Sequence, residues 1–162
     1  TKEQVAKWKH SLPLIKRTDS LFKTLVPRRH KIQLSRMNKT STFQIENTAF
    51  STITINFNYR TALHKDRGDL EEGFGNLIVL EKNKCVSASD DYKGGLMGFP
   101  QYGIAVNARN GDFLAMDVHE WHCNTKIKPT HKGKLNYGRL SMVCYLRKNM
   151  IKCSKVSKVS KQ

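Results

Sequence analysis

The chain contains no run of eighteen apolar residues and no charged-then-apolar leader at its start, so nothing in it is expected to span a bilayer or to direct secretion. A soluble, intracellular protein, or a piece of a larger one, is the expectation. Cysteine is scarce. The four present, Cys85, Cys123, Cys144 and Cys153, show no Cys-x-x-Cys spacing, which argues against a structural zinc site and fits reduced thiols. Acidic residues are missing from both ends. Residues 1–40 hold eleven Lys/Arg against two Asp/Glu, and residues 124–162 hold eleven against none. The stretch 59–123 reverses the balance, with seven basic residues against ten acidic ones. The net charge of +16 therefore sits on the flanks of a slightly acidic middle. That distribution is the footprint of a polyanion binder, with nucleic acid as the expected partner. A monomer is the expected state. A lysine-rich solubilising surface is the plainer explanation of the same charge.

At 162 residues the chain is one domain's worth, long enough for a single core. Residues 1–42 read as a basic segment of short amphipathic helices that packs on the core, with Pro13 and Pro27 ending or starting pieces. From Phe43 the pattern turns to β. Strands are expected through 51–64, at Gly75-Asn76-Leu77-Ile78-Val79-Leu80-Glu81, at 102–106, at 112–118 and at 139–146. Strands of this length separated by Gly, Asn and Asp suggest a double-stranded β-helix, or jelly-roll, core over 43–148. The fold class is thus mainly β with N-terminal helices. Gly94-Gly95-Leu96 suits a close backbone approach. Residues 149–162, ending in a Ser-Lys-Val repeat, are expected to be a disordered basic tail.

Against this frame a few polar residues stand out. His64 and Asp66 lie two apart in strand-like sequence, which would send both side chains to one face. His119 follows the turn signal Gly111-Asp112 and an apolar run, and can bring a third ligand from a distant strand. Two histidines and a carboxylate on one side of an ion leave the opposite positions open, the arrangement of non-haem Fe(II) oxygenases. Extended backbone would turn His122 away from His119, so His122 is expected not to bind metal but to face substrate or solvent. Arg139 opens the strand Arg139-Leu140-Ser141-Met142-Val143-Cys144-Tyr145-Leu146, apolar enough to be buried on both faces. A buried arginine needs an anion, and Ser141, sharing its face, can add a hydroxyl. A keto diacid would satisfy both ends of such a site, and 2-oxoglutarate is that molecule. Asn56 and Asn58 share the parity of the ligand pair and are candidates for hydrogen bonds to cosubstrate or base. Trp121, Phe99 and Tyr102 are candidate stacking residues, packing being the alternative for each. The loop of His131, Lys132, Gly133 and Lys134 is a candidate phosphate contact or a solvated hairpin.

The runs Thr61-Ala62-Leu63-His64-Lys65-Asp66-Arg67-Gly68-Asp69-Leu70, Gly94-Gly95, Asn110 to His119 and Gly138-Arg139-Leu140-Ser141 resemble the Fe(II)/2-oxoglutarate dioxygenases, most closely the TET/JBP family of nucleic-acid base hydroxylases. The resemblance covers about residues 43–148. It implies iron on His64, Asp66 and His119, the distal carboxylate of 2-oxoglutarate on Arg139 with help from Ser141, and O2 as co-reactant. It also implies hydroxylation of a 5-methylpyrimidine in DNA, 5-methylcytosine slightly ahead of thymine, with the nucleotide turned out of the stack. The place of work would be with DNA, in a nucleus if the source is eukaryotic. A prolyl or lysyl protein hydroxylase would use the same iron site, and an idle barrel acting as a basic nucleic-acid-binding module is a third reading.

Overall fold

The computed structural model describes residues 3–39, 41–81, 92–130 and 138–156. Two helices come first, α1 (Val5–Leu25) and α2 (Pro27–Asn38). Nine strands follow among the described residues: β1 (Thr52–Phe57), β2 (Gly75–Glu81), β3 (Tyr92–Lys93), β4 (Met97–Phe99), β5 (Ile104–Val106), β6 (Phe113–Met116), β7 (Cys123–Asn124), β8 (Lys128–Pro129) and β9 (Arg139–Tyr145). A last helix, α3 (Lys148–Val156), closes the described chain. Among the described residues, no helix is long and apolar enough to cross a membrane.

All pairings are antiparallel. The main sheet runs β1-β9-β2-β6, a second runs β5-β4-β7, and β3 pairs with β8. The two larger sheets enclose an apolar layer of Leu77, Val79, Met97, Met116 and Val118, the double-sheet layout of a jelly roll. β9 lies between β1 and β2, and its alternation sorts residues to two environments. Met142 and Cys144 join a cluster under the helices, whereas Ser141 and Val143 face the interior between the sheets. The strand is therefore covered on both faces, as its apolar run predicts.

The helices bury one stripe each on the outer face of the main sheet. Ile15, Thr18 and Phe22 of α1 and His30, Gln33 and Met37 of α2 follow helical spacing and are buried. Phe22 stacks on Phe50 and Phe74 with ring centroids 6.3 and 6.5 Å apart. Gln33 ties the layers together, donating to the Ala49 carbonyl at 2.9 Å and accepting from the Phe74 amide at 3.0 Å. Gly73 is needed there, because a Cβ would lie 2.5 Å from the Gln33 oxygen. These contacts make residues 3–39 part of the domain.

Three sequence expectations change. Pro13 does not end a helix but sits inside α1, on its exposed side, where water can satisfy the carbonyl that loses its amide partner. The expected tail begins as α3, which runs to Val156; the repeat beyond it and the basic loop at 131–134 lie outside the described residues. The long strand into His64 stops at Phe57, because Asn58 takes a positive φ of 50° and breaks the extended run.

Candidate metal centre and cosubstrate pocket

Beyond Asn58 the chain pairs again, not with β9 but with the segment before and through β7. The Asn124 amide donates to Thr61, His64 and His122 exchange both backbone hydrogen bonds at 3.0 Å, and the Asp66 amide donates to Val118 at 2.8 Å. One side of this ladder advances two residues, from His64 to Asp66, while the other advances four, from Val118 to His122. The surplus loops out, with the Glu120 amide reaching back to the Asp117 carbonyl at 3.3 Å. His119 lies in that loop. Its backbone amide and Nδ1 both sit on Asp117 Oδ1, at 3.0 and 3.3 Å, and its buried Nε2 has no hydrogen-bond partner among the described residues.

The group that the geometry brings together differs from the expected ligand set. Among the described residues, the group able to hold a metal ion is His64, Asp66 and His122, whose ligand atoms lie within 4.8 Å of one another. His64 Nε2 is 3.4 Å from Asp66 Oδ1 and His122 Nε2 is 3.7 Å from Oδ2, so one carboxylate faces two imidazoles. The far nitrogens are committed: His64 Nδ1 lies 2.8 Å from the Ala62 carbonyl and His122 Nδ1 lies 2.8 Å from the Glu120 carbonyl. A carbonyl only accepts, so each Nδ1 carries hydrogen and each Nε2 presents its lone pair inward. Burial, and secondarily the neighbouring His64, lowers the pKa of His122 and favours the neutral ring that a metal requires. The donor set fits a divalent redox metal.

The ligands open onto a cavity of about 340 Å³ between the sheets. Ser141 and Asn56, directly paired across β9 and β1, line it, and Thr54, Met97 and Val143 complete that wall. Asn58 does not line it. Its side-chain oxygen accepts the Arg139 amide at 2.8 Å and its own amide donates to the Arg139 carbonyl, so it holds the arginine's backbone rather than a ligand. Trp121 is absent from the wall too: the Lys65 ammonium lies 5.5 Å from its ring centroid. Phe99 packs against the inter-sheet core and Tyr102 projects to solvent beyond a tight turn. The aromatic residues that do line the cavity are Tyr59 and Tyr145.

Arg139 shares the β9 face of Ser141 and is only 3% exposed. Its Nε and Nη2 have no hydrogen-bond partner among the described residues. Gly95, with a φ of 72°, backs onto it, and a Cβ there would come 3.4 Å from the arginine's Cδ and Nε. Directly across β2 stands Glu81, which accepts a short hydrogen bond from the Tyr92 hydroxyl and lies 3.2 Å from Arg109 Nε. Burial, then the bond to Glu81, pushes the Tyr92 hydroxyl upward, so it stays protonated. Arg139 is thus a buried guanidinium with two donors unmet among the described residues, and a bound carboxylate would meet them.

The family model for the Tet/JBP oxygenase domain of the 2OGFeDO superfamily matches residues 1–148. The chain belongs to that family. It is thus a dioxygenase domain, and the superfamily's chemistry uses Fe(II), 2-oxoglutarate and O2. The match begins at residue 1, earlier than the resemblance in the β region suggests, in keeping with α1 and α2 packing on the main sheet. The chain is 35% identical over 141 residues to a bifunctional helicase and thymine dioxygenase, JBP2, of Leishmania major, covering 87% of this chain and 12% of that protein. It is 31% identical over 147 residues to thymine dioxygenase JBP1 of Trypanosoma brucei brucei, covering 91% of this chain and 16% of the relative. A JBP1 of Leishmania infantum matches at 31% over 148 residues, 91% of this chain and 17% of the relative. The chain thus spans less than a fifth of the curated relatives it matches.

Proposed function

We propose that this domain hydroxylates the 5-methyl group of thymine in DNA, with His64, Asp66 and His122 holding Fe(II) and Arg139 holding the distal carboxylate of 2-oxoglutarate. The observation that carries the reading is the convergence of two inward-facing imidazoles and one carboxylate at a cavity, in a chain 31–35% identical to proteins named thymine dioxygenases. Those names favour thymine over 5-methylcytosine, and a nucleic acid over a peptide.

Bound iron and 2-oxoglutarate supply the oxidising power: O2, the keto acid and a methyl C–H become an alcohol, succinate and carbon dioxide, one oxygen atom going to each organic product. The chain's own residues orient and exclude. Nδ1–H bonds to Ala62 and Glu120 fix both imidazoles in the ligating tautomer. Asn58 and Gly95 fix Arg139, and Ser141 offers a hydroxyl on the same face. Leu77, Met97 and Met116 line the inner wall and keep water from the reacting carbon. The exposed Tyr59 at the mouth presents a face for an extruded base.

Nucleoside mass spectrometry of oligonucleotides incubated with the protein, Fe(II), ascorbate and 2-oxoglutarate tests the proposal. The expected product is 5-(hydroxymethyl)uracil from thymine. Oxidation of 5-methylcytosine alone would move the substrate to that base, and an oxygen gained by a peptide alone would end the DNA reading.

A further inference from the structure

Three of the cavity-lining side chains are cations: Lys65, Arg67 and Arg147. Lys65 and Arg67 stand out against the stretch that holds them, 59–123, which has seven Lys/Arg against ten Asp/Glu. None of the three makes an ion pair among the described residues, whereas Lys16, Arg36, Arg109 and Lys148 each meet a carboxylate at 2.8–3.3 Å.

The fold brings them together from two directions. Lys65 and Arg67 alternate with the candidate ligands His64 and Asp66 on the re-paired segment. Arg147 follows β9, where the backbones of Asp69 and Arg147 pair as an antiparallel β-bridge and the Lys148 amide donates to Gly68 at 3.1 Å. The Arg147 guanidinium lies beside Gly68, its Nη2 at an ordinary contact distance of 3.5 Å from where a Cβ would sit. Lys65 is steered by the Trp121 ring rather than by a carboxylate.

We propose that Lys65, Arg67 and Arg147 form a phosphate-binding rim that grips the phosphodiesters flanking the nucleotide whose base enters the cavity. This rests on the DNA reading above. An extruded pyrimidine enters the cavity while its backbone, continuous with the strand on both sides, stays at the mouth, where Arg67 and Arg147 are exposed. The other anion of the reaction, the distal carboxylate of 2-oxoglutarate, has a separate buried partner in Arg139, which leaves the rim charges for phosphate. Guanidinium forks suit phosphate oxygens, and contacts of this kind set register without reading sequence.

The test is fluorescence anisotropy of a labelled thymine-containing oligonucleotide with the Fe(II)- and 2-oxoglutarate-loaded protein, kept anaerobic so that no turnover occurs, across a salt series. Lys65→Gln, Arg67→Gln and Arg147→Gln are each expected to lower the slope of log affinity against log salt by about 0.9 on duplex DNA, or about 0.7 on a single strand. Arg67→Lys and Arg147→Lys keep the charge and should keep the slope, which separates lost contacts from lost folding. Slopes equal to that of the unsubstituted protein overturn the rim. Hydroxylated thymine with unchanged slopes would leave the enzymatic reading standing without it. Reduced slopes with no oxidised thymine would keep the rim and remove the proposed reaction.

Discussion

On the helix-covered face of the main sheet, His30 meets Asp19 at 3.1 Å, the Ala49 amide takes the same carboxylate oxygen at 2.8 Å, and Phe22 lies edge-on to the imidazole at 5.3 Å. On the cavity face His122 meets Asp66 at 3.7 Å, the carboxylate is shared with a second imidazole, and empty space lies beyond. Both rings are buried beside an aspartate. The first pair is closed by backbone and aromatic neighbours and serves packing. The second is left open, with its lone pairs pointing at one another's partner. A histidine–aspartate contact is thus no signature of chemistry by itself; the signature is what the remaining valences of the pair are doing.

The sharpest way to break this contrast is His122→Ala beside His119→Ala. Loss of a true ligand should cost more in succinate release than the roughly 10–100-fold typical of outer-shell partners, while His119→Ala should stay within that range. Equal losses, or a greater loss at His119, would return the site to the order expected from sequence. The packed face is probed by Phe22→Ala. Removing a fully buried ring from under the helices should lower unfolding free energy by about 3–5 kcal/mol, read from denaturant midpoints at constant slope. A loss below about 1 kcal/mol would mean the helices are not integral to the core. Arg139→Ala should weaken 2-oxoglutarate by about 2–5 kcal/mol, seen as a raised KM for the cosubstrate; an unchanged KM would place the carboxylate elsewhere.

The effect confined to alkaline pH concerns Cys144, on the helix side of β9. Burial, then the Asp19 carboxylate, pushes its thiol from 9.0 up to about 12. The folded protein keeps this proton while the unfolded chain releases it, so stability declines as pH rises from about 9 to about 12. Cys144→Ala should flatten that part of the stability curve in urea titrations, and an identical curve would refute the assignment.

Much of this was legible in the residues. The run 75–81 is β2 with the bounds its apolar pattern sets, and β9 is covered on both faces as its sequence requires. Arg139 and Ser141 share a face because alternation within one regular strand is reliable. The misreadings fall where regularity fails. A single positive φ at Asn58 ended the strand that was to carry His64, and two surplus residues opposite it looped His119 out while placing His122 in the ladder. A hint existed: Asp117, two residues before His119, offered that ring a local partner. The helix through Pro13 was hidden for another reason, since its solvent-facing position lowers the cost that normally halts a helix.

The buried guanidinium of Arg139, with Nε and Nη2 unmet among the described residues, would also work as a filter. A keto acid bearing a methyl where 2-oxoglutarate has its second carboxylate would enter the pocket yet leave that group stranded in a medium that screens poorly. Its exclusion would need no steric gate. Discrimination among small keto acids would then reside in one charge at the start of β9.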